Sequence, residues 1–422
     1  MTMRVIDVHG FAGGFSCGAT LAGFTLVGKR ESRANFGTAL LEANRAFLGD
    51  QWEAQASDPE DWFPVPAEGI IATPPCSAFS SMTAGNKKMH GMDSEINNCM
   101  RDVMNFAVKV KPKFVAMESV AQAYTKGLPL MRELATTMRE GTGINYHVTH
   151  VVQNNWSVGG CSKRKRYFLV LTEFPFGVER FDLKWLPTLG DALTDLQNMP
   201  LTWDDQVIPN PPTWWSGHLR TPDNVVDGHI PPVNAYGKRV ADLSGPQAEH
   251  GVDWKSGESE AAVLKRYYET HGKLPDSWYY ATAKGTTTRA DQLIARNFDA
   301  GGFSKPRHWP WDQPARVVNG AGSYMIWHPE GRFATHREVA RIMGFPDSWK
   351  IKGANHRNDL HSYWGKGTSV APARWLMDWM RESMNGNPGS VVGEPVGDWG
   401  DTVIDVSNDW KNAQVPATAT AG

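Results

Sequence analysis

The sequence predicts an α/β protein: a doubly wound, mostly parallel sheet of the Rossmann-like kind, followed by a second, smaller, irregular unit. Three observations predict it. Short apolar runs alternate with helically spaced segments through residues 1–178. A glycine-rich turn, GFAGGFSCG from Gly10, lies between the first strand and the first helix. From residue 179 to 305 the periodicity fades while proline, tryptophan and glycine become frequent, as in IPNPPTWWSGH.

The elements follow in order. RVIDVHGFAGGF reads as strand, turn and helix start, FTLVGKRE as a second strand ending on Glu31, and EGIIATPP as a third. NFGTALLEANRAFL and NNCMRDVMNFAVKV carry helical spacing, and KFVAMESV, HVTHVVQ and KRYFLVLTEF continue the sheet. Helical patterning returns in THREVARIMGF and VAPARWLMDWMRES, so residues 306–384 are expected to pack back on the first unit. The tail, 385–422, is polar, mildly acidic and rich in small residues, which predicts disorder.

Composition narrows the classes. With 422 residues, 41% hydrophobic and 21% charged, the chain holds one large or two medium domains with a real core. No apolar run approaches the roughly 18 residues of a membrane span, and the N-terminus lacks signal-peptide anatomy, so a cytoplasmic protein with no membrane partner is expected. Cys17, Cys76, Cys99 and Cys161 show neither disulfide density nor a CxxC zinc spacing; free thiols and no metal are expected. The formal charge is −2, yet Arg101 to Arg166 holds eleven Lys/Arg against four Asp/Glu and ends in KRKR. Such a face can bind phosphates or simply solvate a surface.

Four features carry chemistry. The glycine turn lets backbone N–H groups approach a ligand, and Glu31 at the next strand end can accept from ribose hydroxyls; the spacing is not GxGxxG, so an unliganded turn fits as well. In IIATPPCSAFSSM two prolines end a strand and put Cys76 on a loop at the carboxyl edge of the sheet. There a helix terminus can lower its pKa, although burial as an inert filler is the alternative. Glu118 ends an apolar strand, where a charge needs a partner or a proton. Arg164 and Arg166 alternate into a strand and so face one side.

In this order the segments resemble the DNA (cytosine-5) methyltransferase family over most of the chain. PPCSAFSS (74–81), ESV (118–120), SKRKR (162–166), WPWDQPARVV (309–318), THREVARIMGFPDSW (335–349) and GTSVAP (367–372) match the family's blocks in register, and 179–305 falls where the family keeps its target-recognition domain. The resemblance implies a class I methyltransferase domain with S-adenosylmethionine as cofactor and double-stranded DNA, with a flipped cytosine, as partner of a monomer. It implies Cys76 as nucleophile, Glu118 as the group on ring nitrogen 3, and Arg164 and Arg166 as base-orienting residues. It places the donor among His9, Phe11, Gly13, Gly14, Glu31, Asp50, Pro74, Lys366, Thr368 and Ser369, and DNA contacts at Ser80, Ser81, Lys87, Lys88, Lys163 and Arg289.

The departures cluster at the donor. The family's Phe-x-Gly-x-Gly turn is His9-Gly-Phe11-Ala-Gly13 without gaps, or Phe11-Ala-Gly13 with a two-residue deletion. The Asn of Glu-Asn-Val is Ser119, the Gln before the arginines is Ser162, and the Asn of Gly-Asn-Ser-Val is Thr368. Divergence with the ordinary donor is one reading. The other is a donor with a carboxylate on its methyl group (carboxy-S-adenosylmethionine, giving 5-carboxymethylcytosine), its charge met by His9, Lys366 or Arg337. A non-catalytic DNA-binding pseudoenzyme and an RNA substrate are further alternatives.

Overall fold

The computed structural model describes residues 3–31, 38–49, 52–55, 61–80, 90–183, 186–196, 260–274, 288–298, 311–315, 317–318, 329, 334–351 and 364–412. β1 (Met3–Val8) leads through the glycine turn into α1 (Gly14–Leu21), then β2 (Phe24–Arg30), α2 (Thr38–Ala43), α3 (Arg45–Leu48), β3 (Glu53–Gln55) and β4 (Gly69–Ala72). All four residues of β4 are buried, as a parallel strand covered on both faces requires.

α4 (Asn98–Val110) buries Met100, Val103, Met104 and Ala107, the spacing of one helical face, and ends on Lys111 in the left-handed region just before Pro112. β5 (Phe114–Val120), α5 (Gln122–Lys126), α6 (Leu128–Thr142), β6 (His147–Asn154), β7 (Lys165–Thr172), the short β8 (Gly177–Val178) and α7 (Leu189–Leu193) follow. Further on lie α8 (Glu260–His271) and α9 (Arg289–Ala295), then α10 (His336–Ile342) and α11 (Val370–Met384). A Thr335/Glu338 capping box starts α10.

Among the described residues the main sheet has nine strands, and its last two come from the tail: β10 (Glu394–Pro395) and β11 (Asp401–Asp405) head the order β10-β11-β6-β7-β5-β4-β1-β2-β3. β7 runs antiparallel to both β5 and β6, which brings its first residues level with the carboxyl end of β5; Arg166 pairs with Val120 on one side and Gln153 on the other. One face of the sheet packs on α1 and α11 through Phe15, Phe168, Val170 and Leu376. The other packs on α4 and α6 through Met104, Leu134, Tyr167 and Leu169.

Two boundaries differ from expectation. Leu189 and Leu193 belong to the first core, so that unit extends beyond residue 178. Leu264, Leu274, Ala290, Leu293 and Phe298 form a separate small core within 179–305. The disorder expected from residue 385 is corrected as far as Asn412: β9 (Val391–Val392) pairs with β8, and β11 joins β6. Composition misjudged this stretch because its contacts are distant in sequence: β11 pairs with β6, and the buried carboxylate of Asp401 bonds His150 and Arg132, more than 250 positions away.

Candidate active site

β4 ends at Ala72, and Thr73-Pro74-Pro75 carries the chain to Cys76, which precedes a single 3-10 turn, Ser77–Phe79. The thiol is half-buried. Burial and the carboxylate of Glu118 push its pKa up, against Arg166, a hydrogen bond from the Val120 amide, and Arg164. The expectation of a thiol depressed by a helix terminus is corrected: the turn is one turn long, and burial, with Glu118 added, raises the thiol instead. The same couplings place Cys76, Glu118, Arg164 and Arg166 around one point.

Glu118 is fully buried, and its carboxyl pKa is raised by burial despite both arginines. Arg166 Nε lies 2.8 Å from Glu118 Oε1, an ion pair whose angles fall short of a hydrogen bond, so neither carboxyl oxygen has a hydrogen-bond partner. The two arginines, expected to act together, have separate tasks. Arg164 donates to the carbonyls of Val318, Gly365 (2.9 Å) and Gly367 (2.8 Å), and so fixes the return segment. Of the two, Arg166 makes the ion pair with the carboxyl, while Arg164 acts on it through its charge.

Around the glycine turn, Gly13 (φ 81°) precedes α1, and His9 (φ 60°) and Phe11 (φ 49°) also adopt left-handed backbone. A Cβ on Gly14 would lie 1.8 Å from the Thr368 carbonyl, so only glycine lets α1 meet the return segment there. Thr368 Oγ1 and Thr73 Oγ1 are 2.9 Å apart, tying that segment to the Cys76 loop. Ser369 precedes α11 and contacts Met343; Pro74 is buried and Lys366 exposed.

Glu31 is already engaged: His9 Nδ1 lies 2.8 Å from one oxygen and Lys29 Nζ 2.9 Å from the other, all three side chains buried. Sequence reading missed Lys29, although a lysine two residues before a strand-end acid shares its face. It also missed Asp7, whose carboxyl accepts from Ser16 and is raised by burial to about 6. His9 Nε2 and Asp7 Oδ1 are buried without partners. Unpaired polar atoms beside a glycine turn, at the switch between β1 and β4, fit a nucleoside with hydroxyl and amine donors. Glu31 retains lone pairs to join them.

Of the expected DNA contacts, Ser80 ends the 3-10 turn, and Lys163 lies over Trp156 (4.6 Å) and Trp410 (5.6 Å). Arg289 opens α9. Asp50, Ser81, Lys87 and Lys88 lie outside the described residues. Among the described residues there is no metal-ligand cluster, and no helix is long and apolar enough to cross a membrane.

A doubly wound sheet with a thiol, a carboxyl and an arginine at its strand ends, beside a glycine turn, defines a group transferase of the class I methyltransferase fold. The chain belongs to the C-5 cytosine-specific DNA methylase family, whose model matches residues 3–376. It is 26% identical over 397 residues to the Type II methyltransferase M.NgoPII of Neisseria gonorrhoeae, covering 87% of this chain and 92% of that one. DNA (cytosine-5)-methyltransferase 4 of Arabidopsis thaliana is 24% identical over 351 residues, 73% of this chain but 21% of the plant protein. Two solved structures share the fold. A prophage-encoded protein from E. coli, described as a DNA modification methyltransferase, has a TM-score of 0.54 at 16% identity, covering 91% of this chain and 99% of its own. The Entamoeba histolytica methyltransferase EhMeth has 0.51 at 10% identity, with the same coverage.

Proposed function

We propose that this DNA cytosine-5 methyltransferase acts through a covalent Cys76 adduct on a cytosine flipped out of double-stranded DNA. The observation that carries the reading is the meeting of Cys76, Glu118 and Arg166 at adjoining strand ends. Cytosine carbon 5 is too weak a nucleophile to accept a methyl group directly. The Cys76 thiolate adds to carbon 6, and the electron pair of the ring double bond moves to carbon 5. Carbon 5 takes the methyl group; loss of its proton to a base then restores the double bond, and Cys76 leaves with the electron pair it brought.

Glu118 supplies the acid. Its raised pKa favours a proton that can be shared with ring nitrogen 3, and sharing it stabilises the charge that develops there. A protonated Glu118 also removes the negative charge that holds the thiol up, so base binding and thiol activation are coupled. Arg166 donates to the base oxygen, and Arg164 holds the segment behind it. The reacting atoms are inaccessible within a duplex, so the nucleotide rotates out. Ser80, Ser81, Lys87, Lys88, Lys163 and Arg289 contact the DNA.

S-adenosylmethionine, the general donor of this family, supplies the electrophilic methyl group when bound. Glu31, His9 and Asp7 would hold its nucleoside, and Phe11, Gly13, Gly14, Pro74, Thr368 and Ser369 would line the site, with Asp50 assigned to it from the resemblance alone. Of the cations considered for a carboxylated donor, Arg337 bonds the carbonyls of Pro346 and Trp349 and Lys366 is exposed, while His9 bonds Glu31 through Nδ1 and keeps only Nε2, which the nucleoside would take. This favours the unmodified methyl. The thiol and the unsatisfied carboxyl favour an enzyme over a DNA-binding pseudoenzyme.

The test supplies each donor separately with duplex DNA or RNA and identifies the nucleosides by mass spectrometry. 5-Methylcytosine from DNA with S-adenosylmethionine is expected, with loss in Cys76→Ala. A 5-carboxymethylcytosine product, or product from RNA alone, overturns the reading.

A further inference from the structure

We propose that Gln153 is a substrate-contacting residue of the same pocket, its amide meeting the carbonyl edge of the flipped pyrimidine beside Arg166. The proposal rests on the cytosine-5 reading above and extends it to a strand that the resemblance left out.

Gln153 is the penultimate residue of β6 and is fully buried, and both its amide nitrogen and its amide oxygen lack a hydrogen-bond partner. It pairs directly with Arg166 in the antiparallel β6/β7 register, so the two side chains leave the same face of the sheet. Arg166 pairs on its other flank with Val120, and Glu118, two residues before Val120, shares that face. The three polar side chains therefore stand in a row across adjoining strands: Glu118, Arg166, Gln153.

Neighbouring buried polar groups on β6 and beyond it are bonded at one end or both, although Asn155 Oδ1 also lacks a partner. His150 lies 2.7 Å from the Tyr167 hydroxyl and 2.8 Å from Asp401, and Asn155 Nδ2 donates to Ser162 at 2.6 Å. Gln153 stands apart from them. A buried amide with neither end satisfied costs stability, and such groups persist where a ligand completes them. A pyrimidine edge suits an amide, because carbonyl O2 accepts from the Nε2 amide N–H. With Glu118 at nitrogen 3 and Arg166 between, Gln153 is placed on the O2 side. Its Oε1 then accepts from the Arg166 guanidinium and fixes that group once the base has engaged Glu118.

The test uses the full chain with Gln153→Leu and, as a second shape-conserving variant, Gln153→Met. Thermal midpoint is measured with the single-turnover rate of covalent complex formation on duplex DNA containing 5-fluorocytosine. The expected result is a midpoint equal to or above wild type, because two orphaned polar atoms are gone, with an adduct rate lower by about a hundredfold. An adduct rate within twofold of wild type in a folded variant overturns the proposal. So does a lowered midpoint in both variants, which makes the amide a structural group. Wild-type protein that forms no adduct overturns the cytosine-5 reading and this proposal with it; an intact wild-type adduct confines the failure to Gln153.

Discussion

Arg166 Nε sits 2.8 Å from Glu118 Oε1, across two antiparallel strands that meet only because β7 is inserted against the direction of its neighbours. The pair is buried but incompletely bonded: the guanidinium neutralises the carboxyl in part, and both carboxyl oxygens stay without a hydrogen-bond partner. A fully bonded pair would be more stable and less useful. The contact also sets the state of Cys76, which Glu118 pushes up and Arg166 pulls down.

Replacing Arg166 with alanine removes the largest influence holding the Glu118 carboxyl down and the largest one favouring the Cys76 thiolate. Both pKa values rise. The pH dependence of adduct formation on 5-fluorocytosine DNA is expected to move to higher pH, with a rate at pH 7 lower by about a hundredfold or more. Arg166→Lys restores part of the shift, because charge is kept and the planar fork is lost. An unchanged pH profile in Arg166→Ala separates the arginine from the thiol.

Arg164→Lys tests the other task. One ammonium replaces a fork that serves the carbonyls of Val318, Gly365 and Gly367, and buried carbonyls are left without donors. A loss of about 2–4 kcal/mol in denaturant unfolding is expected. Donor affinity falls with it, because Gly367 precedes the Thr368 that joins the Cys76 loop. Unfolding that matches wild type would show the three bonds to be dispensable.

The strands and helices of the first unit were legible because burial leaves apolar periodicity in the chain: β4 is a continuous apolar run, and α4 repeats at helical spacing. Strand-end position singled out Cys76, Glu118 and the arginines and the resemblance supplied their roles, but sequence alternation gave Arg164 and Arg166 one role where distant carbonyls give them two. β11 was illegible for the same reason as Gln153. A strand stabilised by a partner more than 250 residues away, or an amide that lacks any partner, leaves no local pattern. Lys29 alternates with Glu31 and offered a signal that went unread.

Asp7→Asn is expected to stabilise the protein above pH 6. The folded carboxyl has its pKa raised from 3.8 to about 6, chiefly by burial. The folded state therefore binds more protons between those values, and stability falls as pH rises from about 4 through 6. Above that, the cost of the buried charge is at most about 3 kcal/mol, which asparagine removes while still accepting from Ser16. Urea unfolding at pH 8 and pH 5 reads the effect: a gain at pH 8 that shrinks at pH 5. A loss at both would mean that the Lys29 attraction outweighs burial.

Asp401 carries the last prediction. Its carboxylate is buried and accepts from His150 Nε2 at 2.8 Å and from Arg132 at 3.0 and 3.1 Å, while His150 Nδ1 meets the Tyr167 hydroxyl. Burial pushes the Asp401 pKa up, but the bonds from Arg132 and His150 more than offset it, so the folded value lies below the ordinary 3.8. Burial lowers His150 below 6.5 despite Asp401. Both groups bind fewer protons folded than unfolded, so their stabilisation is complete above pH 6.5. It declines first as His150 gains a proton and again below about pH 4 as Asp401 does. Asp401→Asn removes the charge, leaving Arg132 without its counter-ion and His150 Nε2 with a weaker acceptor, a loss of about 3 kcal/mol at pH 7.5. The variant should release β11 before the rest of the sheet, exposing residues 391–412 to protease while the core stays folded. Proteolysis at the wild-type rate, with acid sensitivity unchanged, would show that β11 is held by its backbone ladder to β6 alone.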